Sequence, residues 1–101
     1  MLDREFFLGF IKIHILYHAS KEPIFGLEIT EELARHGYSI GPGTLYPMLH
    51  HLEREGYVER SPRVVNGKVR KYYQATTKGK LALEQSKKKI RELVTEVIEE
   101  K

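Results

Sequence analysis

Apolar residues are concentrated near the start of the chain, and further along they recur with helical periodicity. Residues 6–17 are mostly apolar, which is more than one helical stripe holds, so a helix here would be buried on more than one face. The isoleucines also allow a strand, but the length of the segment favours a helix. Because a chain of 101 residues has little mass with which to surround such a helix, we predict that part of it faces a second subunit.

Two further helices are predicted before residue 57. Residues 25–34 carry Ile29 and Leu33 at helical spacing, and Gly37 favours the left-handed conformation that ends a helix. A turn then leads to Gly41 as N-cap and Pro42 at the first helical position, where the missing N–H costs nothing. The third helix runs from there to a stop at Gly56.

The third helix has two chemically different faces. Its apolar face is formed by Leu45, Met48, Leu49 and Leu52. The opposite face carries Gly43, Pro47, His50 and Arg54, with Thr44, Tyr46 and His51 on the flanks. A helix with such an outward face can enter the major groove of DNA and offer N–H groups and side chains to phosphates and bases.

A basic β-hairpin is predicted directly after this helix. One strand begins at Tyr57, the other covers residues 69–75, and residues 64–69 form the tip, where Asn66-Gly67 favours a type I′ turn. Residues 60–80 contain seven basic residues and no acidic one, which creates a local positive field although the net charge is only +3. A solvated loop gives the same pattern, but the position after the third helix favours a nucleic-acid contact.

The last helix is predicted to run from Thr76-Thr77, which can cap it, to about residue 100. Its apolar positions have a heptad-like spacing, typical of a helix that packs on a partner. Together with the first helix it is predicted to form a dimer interface. The residues concerned are Phe6, Phe10, Ile13, Leu83, Ile90, Val94 and Val97.

Composition narrows the function classes. The chain has no Cys and therefore neither disulfides nor a thiolate metal site. No catalytic constellation or phosphate-binding glycine motif is present, so we expect neither an enzyme nor a cofactor. His14 and His18 have a spacing that can grip a metal, but no third ligand at metal-site spacing is evident, so packing is favoured and no metal is predicted.

Localisation follows from what the first residues lack. They carry no basic stretch of the kind found in signal peptides. The apolar segment 6–17 is too short to span a bilayer. We therefore expect a cytoplasmic protein with no membrane partner.

The third helix and the hairpin resemble the PadR-family transcriptional regulators. The similarity is carried by residues 43–58, with Gly-Thr-Leu-Tyr-Pro at their start, and by residues 67–79, with Arg-Lys-Tyr-Tyr in the second strand. Gly26-Leu27-Glu28-Ile29 is similar to the opening of the family's second helix. The resemblance covers about residues 7–82, and the single last helix is that of the short subgroup.

This resemblance implies a mainly α fold with a small β-hairpin (α+β). Residues 1–76 would form a winged helix-turn-helix and residues 77–101 a dimerisation helix, as one structural unit. It also implies a homodimer that represses transcription by binding double-stranded DNA at operators with dyad symmetry. Many members release DNA when a small hydrophobic effector binds near the dimer interface, but this chain has no Trp with which some members stack flat aromatic ligands.

The resemblance assigns Gly43, Thr44, Tyr46 and Pro47 to the recognition helix and residues 66–71 to the wing. The complete set of predicted DNA-binding residues is Gly43, Thr44, Tyr46, Pro47, His50, His51, Arg54, Arg63, Asn66, Lys68, Arg70 and Lys71.

Two alternatives from other classes stay open. A winged-helix module that binds protein would carry an acidic or neutral wing and an exposed apolar patch, which the acid-free span 60–80 argues against. A nonspecific DNA-binding protein would need only the basic charge.

Overall fold

The computed structural model describes residues 4–101, so the first three residues of the predicted 1–76 domain lie outside the described range. The elements, in chain order, are α1 (Arg4–Lys21), β1 (Ile24–Phe25), α2 (Gly26–Arg35), α3 (Pro42–Arg54), β2 (Val58–Val65), β3 (Lys68–Ala75), α4 (Thr77–Leu93) and a π-helical segment (Val94–Ile98) that continues α4. The predicted four helices and hairpin are confirmed, and the fold is α+β.

The core lies where α1, α2 and α3 pack on the sheet and on the first half of α4. Leu49 of α3 and Tyr73 of β3 are both 0% exposed and mark its centre. Ile11 and Ile15 of α1 and Leu33 of α2 are buried around them. Three helices and a sheet thus share one core, and the apolar face of α3 packs into it.

The C-terminal ends of α2 and α3, the two helices of the helix-turn-helix, follow from local sequence. Gly56 has φ +81°, the left-handed conformation in which Gly is favoured, and the Tyr57 N–H donates to the Leu52 carbonyl at 2.9 Å in the manner of a Schellman cap. Gly37, with φ +84°, ends α2 in the same way. The predicted stop positions of both helices are confirmed.

The sheet contains a strand that was not predicted. Its order is β1-β3-β2, with all neighbours antiparallel, and β1 pairs Ile24 with Tyr73 and Phe25 with Tyr72. The prediction that the second helix starts at residue 25 was therefore wrong by one position. A two-residue strand has no pattern of its own and forms only because β3 offers it a free edge.

The hairpin is longer and tighter than expected. Asn66 and Gly67 have φ values of +51° and +75° and connect the paired residues Val65 and Lys68, which confirms the type I′ turn. The expected tip over residues 64–69 was too wide, because its flanking residues belong to the two strands.

The last helix begins as predicted and ends differently. The Thr76 side chain accepts a hydrogen bond from the Gly79 N–H at 3.0 Å, which confirms the cap. A Cβ at Gly79 would overlap the Tyr57 carbonyl oxygen, so this glycine lets α4 approach the sheet. The expected single α-helix to about residue 100 gives way to the π-helical segment after Leu93. Within residues 4–101, no helix is both long enough and apolar enough to cross a membrane.

Candidate nucleic-acid interface

The outward face of α3 is exposed along its whole length. Tyr46, Pro47, His50 and Arg54 are exposed, as is Gly43. Thr44 and His51 are half-buried on the flanks, while all four predicted inward residues are buried. The structure therefore places these predicted DNA-binding residues on the exposed side of a helix whose other face packs in the core.

The start of α3 lies beside two basic residues of α1 that sequence reasoning missed. Arg4 donates from Nη2 to the Thr44 hydroxyl oxygen at 3.3 Å. Arg4 and Lys12 also line a groove of about 290 Å³ together with Pro47 and His51. Since Arg4, Leu8 and Lys12 are four positions apart, they share one face of a helix, and this spacing was the available signal.

Tyr46 is held in place by a contact with α2. A Cβ added to Gly26 would lie 2.5 Å from the Tyr46 hydroxyl oxygen, so the ring sits directly over the first turn of α2. The side chain nevertheless remains 40% exposed. Gly26 thus positions a tyrosine of the outward face, which only the tertiary contact reveals.

An open groove of about 470 Å³ separates the helix-turn-helix from the wing. It is lined by Phe25, Gly26, Leu27, Tyr46, Val69, Arg70 and Lys71. Two basic residues and a tyrosine therefore line a concave surface between α3 and β3. A groove with this lining can accept an anionic backbone.

Stacking on aromatic rings orders two arginines of the wing. The Arg70 guanidinium lies 4.5 Å from the centroid of the Phe25 ring, and that of Arg63 lies 4.8 Å from the Tyr72 ring. The Phe25 and Tyr72 rings meet edge to face at 5.3 Å. A stacked guanidinium keeps its in-plane N–H donors free, so both groups are oriented before any ligand arrives.

The predicted wing residues do not share one face. Arg63 pairs with Arg70 across the two strands, which places both side chains on the same side of the hairpin. Lys71 pairs with Pro62 and therefore lies on the other side. Asn66 and Lys68 are exposed at the tip, so the wing presents basic groups on both faces and at its end.

Comparison with known proteins shows to which family the chain belongs. The model of the transcriptional regulator PadR-like family matches residues 15–85. The chain belongs to this family. Transcriptional regulator Rv3488 of Mycobacterium tuberculosis is 44% identical over 95 residues, which cover 94% of this chain and 89% of the relative.

Solved structures of PadR-like proteins share the fold. A PadR-like transcriptional regulator from Bacillus cereus has a TM-score of 0.82 at 32% identity, over 90% of each chain. A PadR-like transcription factor from Bacteroides fragilis has a TM-score of 0.83 at 26% identity, over 96% of this chain and 95% of the other. The protein is thus a PadR-like transcriptional regulator with a winged-helix fold.

Two basic residues of the span 60–80 make contacts within this PadR-like fold. The Arg60 guanidinium pairs with the Glu53 carboxylate at 3.4 Å, and the Lys78 ammonium donates to the Glu55 carbonyl at 2.7 Å, where it caps the end of α3. Neither had been assigned to the DNA-binding set. Within residues 4–101, the basic wing residues that were assigned, Arg63, Lys68, Arg70 and Lys71, form no ion pair with a carboxylate.

The core tyrosine of the second wing strand belongs to the scaffold of the regulator. Tyr73 is fully buried and its neighbour Tyr72 is half-buried, as the alternation of strand residues predicts. Burial raises the pKa of the Tyr73 phenol above its ordinary value, against the opposing effect of Arg60. The side chain is therefore a neutral element of the core.

The residues predicted for the dimer interface are apolar and mostly uncovered in one chain. Phe6 is 44% exposed, Phe10 37%, Ile90 36% and Val97 60%, and Ile13 and Val94 are half-buried. Leu83 differs, because it is 4% exposed and packs in the core of its own chain. Its apolar character is thus explained without a partner, and the sequence pattern had not separated it from the rest of the stripe.

Proposed function

We propose that this PadR-like protein binds specific DNA operators as a homodimer and represses transcription there. The observation that carries the proposal is the exposed polar face of α3 beside a groove lined by Arg70 and Lys71. Family membership supports the regulatory role.

In this arrangement α3 enters the major groove and the wing lies along an adjacent strand or minor groove. Gly43 leaves open space at the start of α3, so the backbone can approach phosphates closely. Thr44 and Tyr46 offer hydroxyl groups, and His50 and Arg54 reach towards base edges or backbone. Arg63 and Arg70, already oriented by their aromatic neighbours, contact phosphates from the wing.

The homodimer is supported by apolar surface that one chain leaves exposed. Aromatic residues of α1 and the apolar stripe of the second half of α4 are both in water in a single protomer. Such surface favours burial against a second copy. Two copies related by a two-fold axis present two α3 helices, which matches an operator with dyad symmetry.

An effector site is proposed at the same place. A groove of about 400 Å³ between α1 and α4 is lined mainly by apolar groups, among them Ile13, Ile90 and Leu93. A small hydrophobic molecule bound there would contact both dimerisation helices and couple ligand binding to the spacing of the two α3 helices.

The test is fluorescence anisotropy with the DNA upstream of the protein's own gene and a scrambled duplex of equal length. Both titrations are run across a salt series, and sedimentation counts the subunits. We expect a dimer that binds its own upstream DNA about 10³-fold or more tightly than the scramble.

The other outcomes separate the alternatives. Equal affinities that fall together with salt would indicate a nonspecific DNA-binding protein. An absence of binding to either duplex at low salt would favour the protein-interaction module. Transcription from the same upstream DNA, measured with and without the protein, distinguishes repression from activation.

A further inference from the structure

Three histidines, two from α1 and one from the end of α2, lie close together. His14 and His18 lie one turn apart on α1, and His36 follows the last residue of α2 as its C-cap. One ring nitrogen from each lies within 4.8 Å of the other two. The third partner for the His14 and His18 pair is thus supplied by tertiary structure, since His36 is distant from both in the sequence.

The surroundings hold two of these rings in a defined arrangement. The His14 and His36 rings are stacked with centroids 4.7 Å apart, and Tyr38 packs edge-on against His14 at 5.5 Å. Burial, with smaller effects of His36 and His18, lowers the pKa of His14.

We propose that His14, His18 and His36 together bind one divalent transition-metal ion of the zinc class. Three imidazoles are a ligand set that Zn²⁺ takes in tetrahedral sites with a fourth position left for water or substrate. Imidazole nitrogen favours Zn²⁺, Ni²⁺ or Cu²⁺ over Mg²⁺ and Ca²⁺, which prefer oxygen. The chain has no Cys, so the preference of the site among metal ions depends on its three nitrogen donors.

Closure of the site would bring the three ring nitrogens, which lie within 4.8 Å of one another, closer together. Zn–N bonds of about 2.0–2.1 Å at tetrahedral angles bring ligand nitrogens to roughly 3.3 Å from one another. His36 is exposed and His18 half-buried, so neither ring is enclosed by the core, and coordination would shift the His36 ring from its stack on His14. The rings border a recess of about 290 Å³ that is lined also by Ile13, Tyr17, Leu83 and Lys87.

The charged groups nearby are compatible with a cation. The Glu32 carboxylate lies 3.9 Å from the His18 Nε2 atom and offsets part of the metal's charge, as carboxylates beside metal-binding histidines do. The Lys87 ammonium is held by Glu84 at 3.0 Å, which reduces its repulsion. Arg35 is drawn towards Glu32 at 3.1 Å and is largely in solvent.

Metal binding would join α1 to the end of α2. His14 and His18 belong to the helix proposed to form the dimer, and His36 begins the turn that leads to α3. A metal ion at this position therefore fixes the helix-turn-helix relative to the dimerisation helix. Since binding adds to the stability of the folded state alone, it also raises the melting temperature.

The test uses the full chain without a histidine tag and needs no DNA, so its outcome is independent of the proposed function. Zn²⁺ is titrated in competition with a chromogenic chelator, and the melting temperature is measured with and without Zn²⁺. We expect one Zn²⁺ per chain and a rise of several degrees. His36→Gln and His18→Gln should each weaken Zn²⁺ binding at least about tenfold, the minimum expected even for loss of an outer partner.

The control is His50→Gln, which alters an exposed histidine of α3 outside the cluster and should leave Zn²⁺ affinity unchanged. Circular dichroism without metal checks that each variant is folded. The proposal is wrong if the unaltered protein fails to bind Zn²⁺ at micromolar concentration. It is equally wrong if His36→Gln and His18→Gln, both folded, bind Zn²⁺ as tightly as the unaltered chain.

Discussion

Helices α3 and α4 are both amphipathic in sequence but use their apolar faces differently. In α3, Leu45 and Leu49 are 2% and 0% exposed, so the chain itself covers the face completely. In α4 and the π-helical segment that continues it, Leu83 is 4% exposed, yet Leu93 and Val97 further along are 57% and 60% exposed. One apolar stripe therefore belongs to the core, while the other leaves it halfway along the helix.

The difference shows that an apolar stripe indicates burial without indicating what covers it. The rest of the chain covers only the first part of α4, since residues 91–93 and 95–101 are all exposed. What lies beside a polar outward face is likewise decided by the tertiary structure. The polar face of α3 lies beside the wing, and this combination forms the candidate DNA interface.

The largest effect is expected from damage to the internal face of α3. Leu49→Ala removes a side chain that is fully buried, so the free energy of unfolding should fall by about 3 kcal/mol, measured by urea denaturation at fixed protein concentration. His50→Ala, at the next and exposed position, should change it by less than about 0.5 kcal/mol. Similar losses in both variants would contradict the assignment of the two faces.

The apolar stripe of α4 should respond in association rather than in folding. Val97→Asp places a charge in the proposed seam between subunits, so the dimer dissociation constant should rise at least about tenfold, since a desolvated unpaired charge is costly. Sedimentation velocity over a concentration series measures this change. Thr95→Asp adds the same charge on the opposite side of the helix end and should leave the dimer intact. An unchanged dimer in Val97→Asp would remove this segment from the interface.

The wing should respond in its dependence on salt. Arg70→Ala should weaken binding to all DNA sequences about tenfold and lower the slope of log affinity against log salt by about 1, as expected for one lost phosphate contact. Anisotropy titrations at several salt concentrations measure the slope. Arg35→Ala, which removes a cation 72% exposed at the far end of α2, should keep the slope of the unaltered protein. If Arg70→Ala keeps it as well, Arg70 lies outside the footprint.

The smallest effect is expected from a single hydroxyl on the outward face of α3. Tyr46→Phe keeps the ring over Gly26 and removes only a hydrogen-bonding group, so operator affinity should fall severalfold, corresponding to about 1 kcal/mol. Tyr17→Phe removes an equivalent hydroxyl from α1 and serves as the control. Equal affinities for the Tyr46→Phe variant and the unaltered protein would leave Tyr46 a packing role alone.

Local patterns predicted most elements of the fold. The caps at Thr76, Gly56 and Gly37 and the turn at Asn66-Gly67 depend on backbone conformations that neighbouring residues determine. Strand β1 and the π-helical segment could not be predicted in this way. The first depends on a free edge of β3, and the second is a local deviation for which the sequence offers no marker.

The candidate site was predictable in its members and not in its geometry. The outward residues of α3 follow from helical periodicity, and the basic wing follows from charge and turn signals. Arg4 and Lys12 were missed because they come from α1, and the contact that brings Arg4 to Thr44 joins residues 40 positions apart in the chain. The stacking of Arg70 on Phe25 was also unpredictable, because it joins a strand to a residue 45 positions earlier in the chain.

The sequence by itself determined the helices, the hairpin, the two faces of α3 and the resemblance that led to the family. These features depend on interactions between residues close together in the chain, which leave periodic or local signals. Tertiary structure alone decided that Leu83 is core while Val97 is surface, that Gly26 accommodates Tyr46, and that His36 joins His14 and His18. Each of these depends on contacts between distant segments, which form only when the common core brings the helices together.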